Sequence, residues 1–189
     1  ELADHVIAPL DYDMACDVHR YLKEKGVGLI LQNGVQSIRE EDGALRLTLS
    51  DGEIDTDLVI MAVGVRPDTA LAKEAGLELN RRGAIVVDEH MLTSDPDIYA
   101  VGDAVEVTDF VTGEKAYIPL AGPANKQGRI AADNICGIPT TYKNTQGSAV
   151  LKIFDMTVAT TGVNERAAKA AGLDYDKVYT FSNSHASYY

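Results

Sequence analysis

Ile98 to Asp103 reads Ile-Tyr-Ala-Val-Gly-Asp, four residues fit for a buried strand followed by a glycine and a carboxylate. Ligands of open α/β sheets bind at the carboxyl ends of strands. A glycine there lets the backbone approach a ligand closely, and an aspartate just beyond it accepts hydrogen bonds from a polyhydroxyl chain such as ribitol. A plain strand ending in a Gly-Asp turn has the same pattern. Two neighbouring segments bear on the choice: Met61 to Pro67, MAVGVRP, lies upstream, and Ile118 to Ala124, IPLAGPA, lies downstream. Cys16 and Cys136 form no CxxC and no metal spacing, so they read as small packed residues in a reducing, cytoplasmic setting, and neither is given a role.

These residues need elements to place them. Tyr12 to Lys25 carries Met14, Val18, Tyr21 and Leu22 on one helical face, with Asp11 before it and Gly26 after it. Short runs of strand character follow at Leu29 to Leu31 and Val35 to Arg39, then Leu45, Leu47 and Leu49 alternate strictly. Asp42-Gly43 and Asp51-Gly52 supply hairpin turns between them, which predicts an antiparallel meander. Leu58 to Val63 is continuously apolar, as in a parallel strand covered on both faces. Beyond Arg66-Pro67 the pattern predicts a short helix at Thr69 to Ala75, strands at Ala84 to Val87 and Ile98 to Val101, and a small-residue helix at Ala121 to Cys136. After a polar turn, strands at Ala149 to Phe154 and Thr157 to Thr161, a helix at Glu165 to Ala171 and a strand at Lys177 to Phe181 complete an α+β arrangement. Tyr12, Tyr21 and Tyr142 carry no motif and read as half-buried packing.

Composition excludes several classes. With 17 Lys and Arg against 29 Asp and Glu, the net charge is −12, the wrong sign for a nucleic-acid partner, which requires clustered cations. No apolar run approaches membrane-spanning length, so no membrane partner is expected.

Taken together, MAVGVRP, TSDPDIYAVGD and IPLAGPA resemble the FAD-dependent pyridine nucleotide-disulfide oxidoreductases. The helix LAGPANKQGRIAADN and the tail from TQGSAVLKIFDMTVATTGVNE to SHASYY resemble, more narrowly, the branch of coenzyme A-disulfide reductases, coenzyme A-dependent NADH oxidases and NADH-dependent persulfide reductases. The resemblance implies an α/β fold: part of a flavoprotein with two dinucleotide-binding domains, Rossmann-like halves with an antiparallel meander, then the start of an α+β dimerisation domain. Residues 1–65 would be the C-terminal half of the NADH domain, 66–146 the C-terminal part of the FAD domain and 147–189 the start of the dimerisation domain.

The same resemblance assigns roles. Gly102, Asp103, Pro119, Leu120, Ala121 and Ala124 would meet FAD, with free N–H groups at the helix start facing the flavin as it gains negative charge. Val63 and Gly64 would lie near the nicotinamide, and Glu1 would accept hydrogen bonds from the adenosine ribose, favouring NADH over NADPH. Asn125 and Lys126 would contact a coenzyme A disulfide or persulfide substrate, Lys126 through a phosphate, with Arg129 a similar candidate. Tyr188 and Tyr189, with His185 close by, would reach the redox cysteine of the partner in a homodimer, where a phenol can give a proton to a leaving thiolate. A solvated lysine and an interfacial tyrosine pair are the plainer readings of the same residues. The family's redox cysteine and GxGxxG are not matched in this sequence, so the expectation is an internal fragment, inactive alone and unable to retain FAD. An NADH oxidase or peroxidase of the same fold, or a non-catalytic nucleotide-binding or dimerisation module, are the alternatives.

Overall fold

The structure is a computed structural model that describes residues 1–183. Helix α1 spans Tyr12–Glu24 and buries Ala15 and Val18 on one stripe. It stops where the sequence predicts: Gly26 takes a positive φ, Val27 N–H reaches back to Leu22 O at 2.9 Å, and the last carbonyls are thereby satisfied. Asp11 does not cap its own helix. Its carboxylate instead accepts from the backbone N–H of Glu165 at 2.9 and 3.1 Å, at the start of helix α4, Glu165–Ala170.

That bond belongs to a larger contact between the two ends of the sequence. Leu10, Ala15 and Val18 form a core with Ile153, Met156 and Val158 of a hairpin made by β6, Ala149–Ile153, and β7, Met156–Thr160. Asp155 at the hairpin tip donates its N–H to the Tyr21 hydroxyl at 3.0 Å, and Lys25 pairs with its carboxylate at 3.2 Å.

Strands β1, Val35–Glu41, β2, Ala44–Leu49, and β3, Glu53–Thr56, form the expected meander in the order β1-β2-β3, all antiparallel. Asp42 and Gly43 both take positive φ, the two central positions of a type I′ turn. Arg46 on the middle strand forks onto Asp55 at 2.8 and 3.3 Å.

The central part holds helix α2, Ala70–Glu74, the short hairpin β4, Val107–Thr108, with β5, Lys115–Ala116, and helix α3, Ala121–Ile135. Its core is Ile85, Val105 and Val107, packed by Leu79, Val87, Ala100 and Ile118.

Five expected strands differ. Ala84 to Val87 and Ile98 to Val101 are reduced to isolated bridges, Ile85 with Leu79 and with Val105, and Tyr99 with Leu92. Leu58 to Val63 is not a strand: Leu58, Ile60 and Val63 are 69, 81 and 84% exposed, so the run covered on both faces is covered on neither. A strand needs neighbours for its ladder and its faces, and this run has no strand beside it among the described residues. Leu29 to Leu31 is irregular, though Ile30 O accepts from the Glu1 amino group at 2.9 Å. Lys177 to Phe181 is irregular and exposed, without a partner strand among the described residues. The packing readings need two corrections. Cys16 and Cys136 are exposed rather than buried, because both sit on the outer faces at α1 and the end of α3. Tyr12 is 56% exposed, at the first turn of α1, while Tyr21 and Tyr142 are half-buried as expected.

Candidate cofactor-binding site

Gly102–Ala104 is a single 3-10 turn at the end of the extended segment that finishes at Val101. Gly102 has φ +82, so the backbone turns into the left-handed region there. Its N–H donates to the side-chain oxygen of Gln127 on α3 at 2.7 Å. A Cβ built on Gly102 would stand 3.9 Å from the Cβ of Ala124, so a side chain there would just meet α3. Asp103 is exposed, and its carboxylate has no hydrogen-bond partner among the described residues. Tyr117, which follows β5, sits close enough to feel it: burial first, and then the Asp103 charge, push the phenol above its ordinary range.

Helix α3 begins beside this turn. Leu120 at its N-cap has no oxygen to offer, so no side chain caps the helix, and Pro123 in its first turn has no N–H. The N–H groups of Ala121 and Gly122 are thus open at the positive end of a helix dipole. Pro119 and Leu120 are half-buried in the approach to it. The turn therefore sets Gly102 and Asp103 beside Ala124 and Gln127 of α3. A carboxylate acceptor, a close-approach glycine and a set of free donors suit a ligand that carries both hydroxyls and an electron-rich ring edge.

The other candidates make different contacts. Glu1 accepts from the N–H of Ala3 at 3.1 Å, a bond that holds its carboxyl below the usual range against a small opposing effect of burial. Its hydrogen bonds are to Ala3, Ile30 and Asn33, none of which belongs to the exposed Val63–Gly64 segment. Asn125 folds back onto its own helix, donating to Ala121 O at 3.0 Å. Lys126 is exposed and lines a shallow concavity of about 410 Å3 with Arg129, Tyr142 and Lys143. His185, Tyr188 and Tyr189 lie outside the described residues.

Gln127 and Tyr117 were not singled out in the sequence. Gln127 had a legible signal: Ala124, Gln127, Ala131 and Asn134 recur at helical spacing, so the glutamine falls on the stripe that faces inward. A second concavity, about 490 Å3, opens where the ends of the sequence meet, lined by His5, Asp11, Asp13, Glu165, Arg166 and Lys177. Lys177 pairs there with Asp13 at 2.7 Å and Glu165 at 2.5 Å, and Tyr179 also donates to Asp13.

The sequence profile described as pyridine nucleotide-disulphide oxidoreductase matches residues 1–128. The chain belongs to this family. Its cofactors are FAD and a nicotinamide dinucleotide. A solved structure titled reduced Bacillus anthracis CoADR-RHD is 49% identical and superposes over 100% of the chain with a TM-score of 0.93, and this covers 34% of that protein. An NADH oxidase of Methanocaldococcus jannaschii is 42% identical over 89% of the chain and 38% of its own length. An NAD(P)H coenzyme A polysulfide/persulfide reductase of Pyrococcus horikoshii is 34% identical over 88% of the chain and 37% of its own length. The chain thus spans somewhat over a third of the curated relatives it matches. Among the described residues the oxidoreductase fold includes the parts where the meander and the exposed apolar run stand without further strands. No helix among the described residues is long and apolar enough to cross a membrane.

Proposed function

We propose that this chain supplies one wall of the FAD site, part of the NADH site and the beginning of the dimer interface in an NADH-dependent reductase of coenzyme A disulfides or persulfides. The observation that carries the reading is the joint geometry of Gly102, Asp103 and the uncapped start of α3. Those residues fit the cofactor. The unpaired Asp103 carboxylate suits ribitol hydroxyls, and the open N–H groups of Ala121 and Gly122 suit the pyrimidine edge of the flavin. When bound, FAD supplies the relay between a nicotinamide hydride and a sulfur. The chain's own residues then orient and stabilise: Asp103 fixes the cofactor, the α3 dipole favours charge gained at its amino end, and Glu1 holds the adenosine ribose.

Residues 1–65, 66–146 and 147–189 divide in this reading into NADH, FAD and dimerisation units, with a second copy of the protein as partner in the cytoplasm. Val63 and Gly64 face the nicotinamide, Asn125 and Lys126 meet the coenzyme A substrate, and Tyr188, Tyr189 and His185 serve the thiol chemistry of the second subunit. Neither Cys16 nor Cys136 matches the redox cysteine the reaction requires, so that group belongs to the rest of the full-length protein. The Pyrococcus horikoshii relative supports the coenzyme A persulfide substrate. The Methanocaldococcus jannaschii relative favours a second reading, in which oxygen takes the electrons. Products separate them. Thiol release in proportion to NADH consumed, from coenzyme A disulfide or persulfide, supports the reductase; oxygen uptake without added disulfide supports the oxidase. A flavin absorbance that does not bleach on NADH titration of the full-length protein would refute both.

A further inference from the structure

Among the described residues Gln127 has the largest fully buried side chain, at 1% exposure, although it is polar and lies on a helix next to exposed Lys126. Such burial requires a reason, because an amide taken from water needs its hydrogen bonds replaced. Its Oε1 stands 2.7 Å from the backbone nitrogen of Gly102. A backbone N–H only donates, so the atom facing it must be the amide oxygen, and the flip of the side chain is settled by its partner. Within the turn, Val105 N–H reaches Gly102 O only at a long 3.4 Å, and on the far side of Asp103 the Ala104 carbonyl accepts from Ile85 N–H at 2.8 Å. Asp103 itself is tethered to nothing among the described residues. The direction of the Asp103 carboxylate therefore rests on its two neighbours: Ala104, held by Ile85, and Gly102, held by Gln127.

We propose that Gln127 is the positioning residue of the FAD site: its amide oxygen latches the Gly102 N–H, so the Asp103 turn and the start of α3 present to the cofactor as one rigid piece. The inference rests on Asp103 being the FAD ligand. It adds a residue that touches no part of the cofactor in this reading and acts only through its neighbour. Preorganisation is the physical gain, since an acceptor already aimed loses less freedom on binding. A merely structural glutamine would stabilise the fold without a special link to Asp103.

The test uses FAD titration of the full-length apoprotein, followed by flavin fluorescence, in four variants and a double variant. Gln127→Leu keeps most of the volume and removes the acceptor, leaving a buried N–H unpaired; FAD should bind roughly 5- to 150-fold more weakly. Gln127→Glu keeps an acceptor at the same reach and should restore affinity to within about fivefold of the parent. If leucine disturbs α3, Gln127→Asn, one methylene short of Gly102, makes the same comparison. Asp103→Ala removes the ligand itself. In the Asp103→Ala background, Gln127→Leu should add less than about a threefold further loss, because both act along one path. Amide hydrogen exchange at Gly102 should quicken in Gln127→Leu and stay slow in Gln127→Glu. Fully multiplicative losses in the double variant would overturn the proposal, as would faster exchange at Gly102 with FAD affinity unchanged. Failure of Asp103→Ala alone to weaken FAD would instead refute the assignment of Asp103, which keeps the two failures distinct.

Discussion

Replacing Gly102 with alanine separates backbone strain from steric crowding at the proposed cofactor turn. The added Cβ would stand 3.9 Å from Ala124 Cβ, ordinary van der Waals contact, so no clash is built in. What remains is the φ of +82. An L-residue in the left-handed region costs about 1–2 kcal/mol, offset by about 0.4–1 kcal/mol because alanine restricts the unfolded chain more than glycine does. The net expectation is a destabilisation of about 1 kcal/mol, or a fall of roughly 2–4 °C in Tm for a chain of this size. Gly34→Ala is the steric control. Its Cβ would come within 2.8 Å of a Leu2 methyl, but the φ there is not in the left-handed region and Leu2 is 77% exposed and free to turn aside. Urea unfolding of both variants beside the parent should therefore show a larger loss at the uncrowded glycine than at the crowded one. If Gly102→Ala cost more than about 3 kcal/mol, or if Gly34→Ala proved the worse, the account of the turn as conformationally rather than sterically constrained would be wrong.

Two further outcomes follow from the ends of the sequence. The Asp13 carboxyl is held down to about 2 by Lys177 and then Tyr179, and that of Glu165 to about 2 by Lys169, Lys177 and Tyr175. Folded values below the unfolded ones mean that this stabilisation is present above the ordinary carboxylate range, about 4, and is lost as the pH falls towards about 2. The contact of residues 165–179 with α1 should loosen across that window. Limited acid proteolysis would reveal it, and Lys177→Ala should flatten the dependence; an unchanged profile in that variant would show that the pairs do not hold the contact. If Glu1 meets the adenosine ribose as proposed, Glu1→Ala in the full-length protein should shift the ratio of NADH to NADPH affinity about tenfold towards NADPH, as loss of a charged acceptor does. Equal KM ratios before and after the change would remove Glu1 from the ribose site.

How far the sequence revealed this arrangement depended on where each element's stabilising partners lie. Helices α1, α3 and α4 were legible because a helix satisfies its backbone within itself and its stops are local: Gly26 and Gly137 take the positive φ that ends them, and Asn164 caps α4 by accepting from Ala167 at 2.8 Å. The meander was legible for the same reason, with Asp42-Gly43 fixing the register of β1 on β2. Leu58 to Val63 was misread only as to its state. Its apolar run is the composition of a strand enclosed on both sides, and the relatives it matches are more than twice as long, so the composition answers to surroundings this segment does not create. The site divides along the same line. Gly102 and Asp103 could be placed because a strand end and a glycine are local signals. The bond from Gln127 spans 25 positions and depends on how α3 lies on the turn. Helical spacing put Gln127 on the inward stripe, but only the fold shows what its oxygen meets there. A polar residue on an otherwise small-residue stripe is therefore the feature in such a sequence that most warrants a search for its partner, because burying it without one would cost about 1–3 kcal/mol.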